Sequence, residues 1–369
     1  MKGGAPVESR RRRPIPLRIH STPLKVFILK PSSLGDVVQA LPVLRLIKLH
    51  RPDAEVHWWL DAGLVPLLEG DPDLAGIIPF ERRRWSSPRH WGEVWASVRE
   101  IRAKHFDWVI DLQSLARSGL CAWFANGGFT IGLEDGREGA PAFYDVSVPR
   151  PTPETHAVDW YLEVLPHLGI PVHQDFTWIP PRPAVARAVR EKWNLRGERW
   201  VALQPGARWL NKRWPVEHFA EAVRLCAAEF PDTRFAILGS AGERDLGETI
   251  ARAVPGRCLN LAGGVSLPEM IEWLRLCEVL VSNDTGPMHV AAALGKPVVA
   301  LFGPTDPRRT GPYGQIRRAL QFRAPCVPCM KSECYSKNRL ECLHRITPET
   351  IVDRVAEVLE RPSRPAPVE

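Results

Sequence analysis

Ser282-Asn283-Asp284-Thr285-Gly286-Pro287-Met288-His289-Val290-Ala291-Ala292-Ala293-Leu294-Gly295 follows the apolar run Val279-Leu280-Val281 late in this 369-residue chain. The β-branched residues stop, a polar stretch with a glycine follows, and a helix of small residues begins. A strand-to-helix junction of this kind turns backbone N–H groups and the positive end of a helix dipole onto one spot, which suits a phosphate. The hydroxyl of Thr285 and the side chains of Asp284 and His289 add polar groups around that spot. A second apolar run, Val298-Val299-Ala300-Leu301-Phe302, then leads into Gly303-Pro304-Thr305-Asp306.

Working outward, strand and helix signals alternate along almost the whole chain, the pattern of a mostly parallel α/β sheet. An early series holds Lys25-Val26-Phe27-Ile28-Leu29, Glu55-Val56-His57-Trp58-Trp59-Leu60, Gly76-Ile77-Ile78-Pro79-Phe80 and Trp108-Val109-Ile110-Asp111-Leu112. A later series holds Trp200-Val201-Ala202-Leu203, Arg234-Phe235-Ala236-Ile237-Leu238 and the two runs above. Between them the proline-rich stretch from Gly169 to Pro183 resists regular structure and marks a domain boundary. The expected architecture is two Rossmann-like, doubly wound domains facing a cleft, over 25–178 and 184–345. A basic tail over 1–24 precedes them, and a helix with a tail over 346–369 follows. After the first strand, Leu34, Val38, Leu41 and Leu44 recur at helical spacing, and Pro42 is expected to kink this helix or end its first segment.

Composition narrows the function classes. A chain with 44% hydrophobic and 25% charged residues is a soluble globular protein long enough for two cores. No apolar stretch approaches the roughly 20 residues that span a bilayer. Arg10 to Arg13 have no apolar segment behind them, so a secretory signal is not expected and the expected location is cytoplasmic. The net charge of +7 is modest and the N-terminal tail carries much of it. Such a tail is either a solvated extension or an attraction for anionic headgroups and phosphorylated substrates. No basic and aromatic residues interleave as in a nucleic-acid module, so nucleic acid is not an expected partner. The first strand is not followed by Gly-x-Gly-x-x-Gly, and Gly-x-x-x-x-Gly-Lys-Ser/Thr is absent, which disfavours dehydrogenase and P-loop chemistry.

Of eight cysteines, Cys121, Cys226, Cys258 and Cys277 sit among apolar neighbours and read as small buried residues. Cys326, Cys329, Cys334 and Cys342 cluster as Cys-x2-Cys-x4-Cys-x7-Cys. Four thiols at these intervals can close a tetrahedral structural metal site, yet the spacing is not that of a standard zinc module. Free thiols in a surface excursion remain the alternative.

Ser32-Ser33-Leu34-Gly35-Asp36 stands at the carboxyl end of the first strand, where open α/β sheets place ligands. Asp36 is either an acid placed on the helix dipole or a carboxylate at the cleft mouth suited to take a proton from a hydroxyl. Gln204-Pro205-Gly206-Ala207-Arg208 with Lys212-Arg213-Trp214-Pro215 places a glycine and three cations after the first strand of the second series. That loop can grip a diphosphate by charge, or be a solvated basic loop. Glu243 ends another strand on the same edge, as a helix-start acid or a ligand for ribose hydroxyls.

These residues carry a family resemblance. Ile28-Leu29-Lys30-Pro31-Ser32-Ser33-Leu34-Gly35-Asp36-Val37, Val109-Ile110-Asp111-Leu112-Gln113-Ser114, Pro205-Gly206-Ala207-Arg208 with Lys212-Arg213-Trp214-Pro215, Ser282 to Ala292, and Leu301-Phe302-Gly303-Pro304-Thr305-Asp306-Pro307 with Gly314 occur in order over about 25–358. The chain thereby resembles the glycosyltransferase family that contains the ADP-heptose:lipopolysaccharide heptosyltransferases, and the cysteine cluster resembles one in part of that family. The resemblance implies a GT-B fold and transfer from ADP-heptose to the lipopolysaccharide inner core with inversion and no required metal or other cofactor. It implies Asp36 as general base, Lys212 and the N–H groups at Thr285-Gly286 on the diphosphate, and Asp284 and His289 in the donor site; Arg208 is a candidate donor contact from the charge of its loop alone. Glu243 matches the ribose contact. Where family members often carry hydroxyls before the lysine, this chain has Gly206-Ala207-Arg208. The implied acceptor is an acidic, lipid-linked sugar on the N-terminal domain, with peripheral contact at the inner face of the inner membrane. Arg137 is its candidate contact, beside Arg82-Arg83-Arg84 and Arg117. The alternatives are another nucleotide sugar or acceptor glycan on the same fold, or a sugar-nucleotide-binding protein without turnover.

Overall fold

Val26-Phe27-Ile28-Leu29 is buried without interruption because it forms an inner strand covered by helices on both faces, where no polar alternation is needed. The structure, a computed structural model, describes residues 23–85 and 87–360. The basic tail expected over 1–24 falls outside these residues up to 22, as does the tail from 361.

The first sheet contains β1 (Lys25–Leu29), β2 (Glu55–Asp61), β3 (Gly76–Phe80), β4 (Trp108–Asp111), β5 (Phe129–Leu133) and β6 (Val146–Val148). Its order is β3-β2-β1-β4-β5-β6, with every pair parallel. The second sheet contains β7 (Arg199–Gln204), β8 (Thr233–Ile237), β9 (Cys258–Asn260), β10 (Val279–Asn283), β11 (Val298–Phe302) and β12 (Ala319–Gln321). Its order is β12-β11-β10-β7-β8-β9, again all parallel. Read from β9, this is the same doubly wound order as the first sheet. In such a sheet the chain reverses direction between its first and fourth strands, and the crevice outside their carboxyl ends takes the ligand. The two switch points here lie between β1 and β4 and between β7 and β10.

The helix after β1, Leu34–His50, runs unbroken through Pro42 instead of ending there. It is buried nearly all round from Gly35 to Ile47, so tertiary packing outweighs the backbone hydrogen bond that proline forfeits. Its Val38 and Leu41 belong to one apolar cluster with Met288, Val290 and Ala291 of the helix Gly286–Ala293, so a continuous core joins the two sheets' layers.

The proline-rich stretch is strapped to the first layer. Arg45, in a buried ion pair with Asp71 (2.5 Å), donates to the Trp178 carbonyl (3.0 Å), and Arg182 donates to the carbonyls of Pro66 and Leu67. The last helix, Pro348–Leu359, lays Ile351, Val352 and Val355 against Phe219 and Val223 of the helix Val216–Glu229. It therefore completes the second layer's core and does not cross the cleft. Among the described residues no helix is long and apolar enough to cross a membrane.

Candidate active site

Two strand–helix junctions, one from each sheet, meet across the cleft. At the first, β1 gives way to Ser32-Ser33 and the Leu34–His50 helix. Asp36 folds back so that its Oδ2 accepts from the Ser33 backbone N–H (2.8 Å) and the Ser33 hydroxyl (2.6 Å). No hydrogen bond reaches Oδ1 from the described residues. Burial pushes the Asp36 pKa up, but the Lys30 ammonium and the two Ser33 hydrogen bonds outweigh it and hold the carboxyl below its usual range. Lys30 is itself buried, donating to the Leu112 carbonyl (2.8 Å) and lying 4.7 Å from the Tyr161 ring centroid. Burial lowers its pKa, and Tyr161, Asp36 and Asp111 together more than reverse this.

At the second junction β10 leads through Asp284 and Thr285 into the Gly286–Ala293 helix. Asp284 Oδ2 accepts from Lys212 Nζ (2.5 Å) and from Thr305 Oγ1 (2.6 Å), which ties together the loops after β7, β10 and β11. Asn283 reinforces the tie, donating to the Pro205 carbonyl (2.7 Å) and accepting from the Trp214 N–H (3.0 Å). The Thr285 hydroxyl is buried and has no hydrogen-bond partner among the described residues. Buried hydroxyls are rarely left so, and this one stands at a helix N-terminus whose first N–H groups are also open.

Glycines set the closeness of the two junctions. A methyl on Gly35 would lie 2.4 Å from Cδ2 of His289, and one on Gly286 would lie 2.8 Å from Leu34 Cδ2. Each helix start therefore abuts the other, and His289 reaches over Gly35 to the Asp36 side. Burial pushes the His289 imidazole down to about 4 against the pull of Asp284 and Asp36, so it is neutral near pH 7.

Glu243 and the loop after β7 are neighbours for the same kind of reason. A methyl on Gly206 would lie 2.0 Å from Glu243 Oε1. Glu243 accepts from the Ser240 N–H (2.8 Å) and hydroxyl (3.0 Å) and lies 3.6 Å from Arg213. Arg208 is exposed and takes part in none of the ion pairs among the described residues. Arg137 stands apart on the first domain's loop after β5, exposed and paired with Asp135 (2.5 Å). Nearby, Asp111 at the end of β4 is fully buried, accepts from Tyr144 (2.7 Å), and has its pKa raised by burial.

The structure thus brings Asp36, Lys212, Asp284, Thr285, Gly286 and His289 to one place, sets Glu243 beside the loop after β7, and leaves Arg137 on the rim. Sequence reasoning assigned no role to Lys30, Tyr161 or Thr305. A charged residue directly after the apolar run Val26–Leu29 is the one signal that marks Lys30; Tyr161 lies far along the chain, and only the fold brings it there. Cys326, Cys329, Cys334 and Cys342 are free, and no three ligating side chains among the described residues are grouped to hold a metal. Burial, with the neighbouring thiols, raises the Cys342 pKa to about 11. Of the other four, Cys226 and Cys277 are buried, while Cys121 and Cys258 are partly exposed.

Residues 94–340 match the family model described as glycosyltransferase family 9 (heptosyltransferase). The chain belongs to glycosyltransferase family 9. It is 28% identical over 371 residues to lipopolysaccharide heptosyltransferase 1 of Pseudomonas aeruginosa, covering 92% of this chain and 99% of that protein. It is 26% identical over 351 residues to lipopolysaccharide heptosyltransferase 2 of Escherichia coli, covering 91% and 99%. Among solved structures, Escherichia coli heptosyltransferase WaaC with ADP superposes with a TM-score of 0.71 at 26% identity, covering 90% of this chain and 99% of that one. The fold of this family 9 glycosyltransferase is accordingly GT-B, two Rossmann-like domains across a cleft.

Proposed function

We propose that this glycosyltransferase moves heptose from ADP-heptose to the inner core of lipopolysaccharide, inverting the anomeric centre in one displacement. The observation that carries the reading is the abutment of a partly buried Asp36, its pKa held low, against a junction with an unpartnered buried hydroxyl and a helix N-terminus. The sugar and the acceptor class are those of the lipopolysaccharide heptosyltransferases that the chain is similar to.

In this reading the layer over 25–178 takes the acceptor and that over 184–345 takes the donor. The ADP diphosphate rests on the N–H groups at Thr285-Gly286, on the Thr285 hydroxyl and on Lys212. Arg208 lies at the edge of the same loop, and Glu243 receives the ribose hydroxyls. Asp36 Oδ1 takes the proton of the acceptor hydroxyl as its oxygen bonds to C1. The bond from C1 to the diphosphate oxygen breaks on the opposite face, and Lys212 and the helix N-terminus meet the negative charge that grows there. These donors are fixed before reaction, which is what makes such stabilisation effective. In this reading the cationic and backbone groups carry the charge of the diphosphate without a metal. On the acceptor side, Gln113 Oε1 is buried without a partner among the described residues near the end of β4, and Arg137 stands at the rim with a charge for an acidic sugar. The enzyme works at the inner face of the inner membrane.

Incubation with ADP-heptose and a panel of truncated lipopolysaccharide acceptors tests the assignment. Release of ADP with mass gain of one heptose on one truncation is expected. ADP-heptose binding with no transfer to any member would remove the acceptor, and transfer from ADP-glucose in preference to ADP-heptose would remove the sugar.

A further inference from the structure

Three tryptophans are more than half exposed, and all three lie on two adjacent helices of the first domain: Trp91 (58%) and Trp95 (52%) on Trp91–Ala103, and Trp123 (60%) on Ala116–Ala125. Between the helices is an apolar hollow of about 440 Å3, lined by Trp91, Trp95, Leu120 and Phe124 together with Arg82 and Arg117. The Trp95 ring stands edge-on to Phe124 at 5.8 Å, and Trp123 packs beside it at 5.0 Å. Apolar surface of this kind is costly in water and marks an interaction site. We propose that this face seats the enzyme on an anionic lipid bilayer, tryptophans in the interface and arginines on the headgroups.

Charge selects the occupant. Over 81–104 the chain carries seven arginines and lysines against three glutamates, and Arg117 adds another cation at the hollow. Two copies of this face would bring like charges together, so a second copy of the chain is a poor partner, whereas headgroup phosphates are complementary to it. Tryptophan with arginine is also the pairing that suits the boundary between acyl chains and headgroups.

The direction of the face fits the chemistry. Arg82 follows β3 and Arg117 opens the helix after β4, both on the carboxyl edge of the sheet where Asp36 stands. The Trp91–Ala103 helix returns antiparallel to its strands, so Trp91 and Trp95 lie at its cleft end and Lys104 lies beyond its far end. Seated this way, the cleft opens beside the bilayer, where a lipid-linked acceptor presents its sugar. This orientation rests on the acceptor proposed above, while the seating itself does not.

Co-sedimentation of the full chain with vesicles tests the seating without any substrate. Binding to phosphatidylethanolamine–phosphatidylglycerol vesicles, weakened by salt and absent on phosphatidylcholine alone, is expected. The double variant Trp91→Ser, Trp95→Ser should lose about tenfold or more in vesicle affinity. Its transfer to a deacylated, soluble acceptor should stay unchanged, which also shows that it folds. Trp123→Ser should show a smaller loss in the same direction. No binding by the wild type, equal binding by the double variant, or a wild-type dimer that the variant abolishes would each overturn the proposal. Failure of the wild type to act on soluble acceptor, with vesicle binding intact, would strike the acceptor reading and leave the seating in place.

Discussion

The junctions after β1 and after β10 share one local design, a buried strand, a short polar turn and a helix N-terminus, and the proposed function uses them in opposite ways. In the first, the third helical residue is Asp36, whose carboxylate turns back on Ser33 and satisfies the turn from within the chain. In the second, the third residue is Met288, which has no charge to offer, and the Thr285 hydroxyl is left without a partner. A helix start that supplies its own anion holds a base; one that lacks it is open to an anion from outside. The helix starts differ at every position, Ser33-Leu34-Gly35-Asp36 against Thr285-Gly286-Pro287-Met288, but only the third residue brings or withholds a charge. A strand–helix turn at a switch point is therefore read by what occupies its third helical residue as much as by its glycines.

Changing the first junction has the largest expected effect. Asp36→Asn keeps the shape and removes the base, so turnover should fall about 10²-fold or more while the fold is unaltered by circular dichroism. Turnover within a few-fold of wild type would dissolve the contrast between the junctions. At the second junction, Lys212→Ala removes the cation that Asp284 holds at 2.5 Å and leaves that carboxylate buried without it. Loss of about 2 kcal/mol, or about 30-fold in donor affinity, is expected, with turnover lowered as well. An unchanged dissociation constant would take Lys212 out of the donor site. The abutment itself is tested by Gly35→Ala, which puts a methyl 2.4 Å from His289, against Gly242→Ala, which meets nothing within 4 Å. The first should cost about tenfold in transfer rate by shifting the two helix starts apart, and the second should cost little. Equal rates for both variants would show that the contact does not matter.

The smallest expected effect is an absence of pH dependence. The folded-state pKa of Asp36 is lowered, so its basic form persists above that value and is lost only as pH falls through it. The rate constant kcat/KM should therefore stay level down to about pH 5, with its acid limb below the ordinary carboxylate value of about 3.9. His289, neutral near pH 7, adds no limb in that range. A limb centred near pH 6.5 would assign an ionisable histidine to the step instead.

Much of this comparison is written in the sequence, and the rest is not for identifiable reasons. The inner strands are legible because burial on both faces leaves them apolar throughout, as in Val298–Phe302. β6, β9 and β12 are three-residue strands at or beside sheet edges, too short to show a period. β5 contains Gly132, which a pattern of β-branched residues does not anticipate. The structure needs it because a methyl there would lie 2.3 Å from the Tyr144 ring. Pro42 misleads for the opposite reason, since local propensity favours a break that long-range packing overrides. In the site, Asp36 and Thr285 are legible from strand-end position, whereas the Lys30–Tyr161 contact joins residues brought together only by the fold. The cysteine cluster has a metal-like spacing, and the fold keeps the other three thiols near Cys342, but spacing alone does not set the geometry that a metal needs.

The division of labour between the junctions is tested most directly by calorimetric titration of ADP into two variants, Asp36→Asn and Thr285→Val. ADP affinity within about twofold of wild type for Asp36→Asn, and about tenfold weaker for Thr285→Val, is the expected result, since only the second loses a hydroxyl that meets a charged phosphate. ADP affinity weakened as much by Asp36→Asn as by Thr285→Val, or untouched in both, would contradict it.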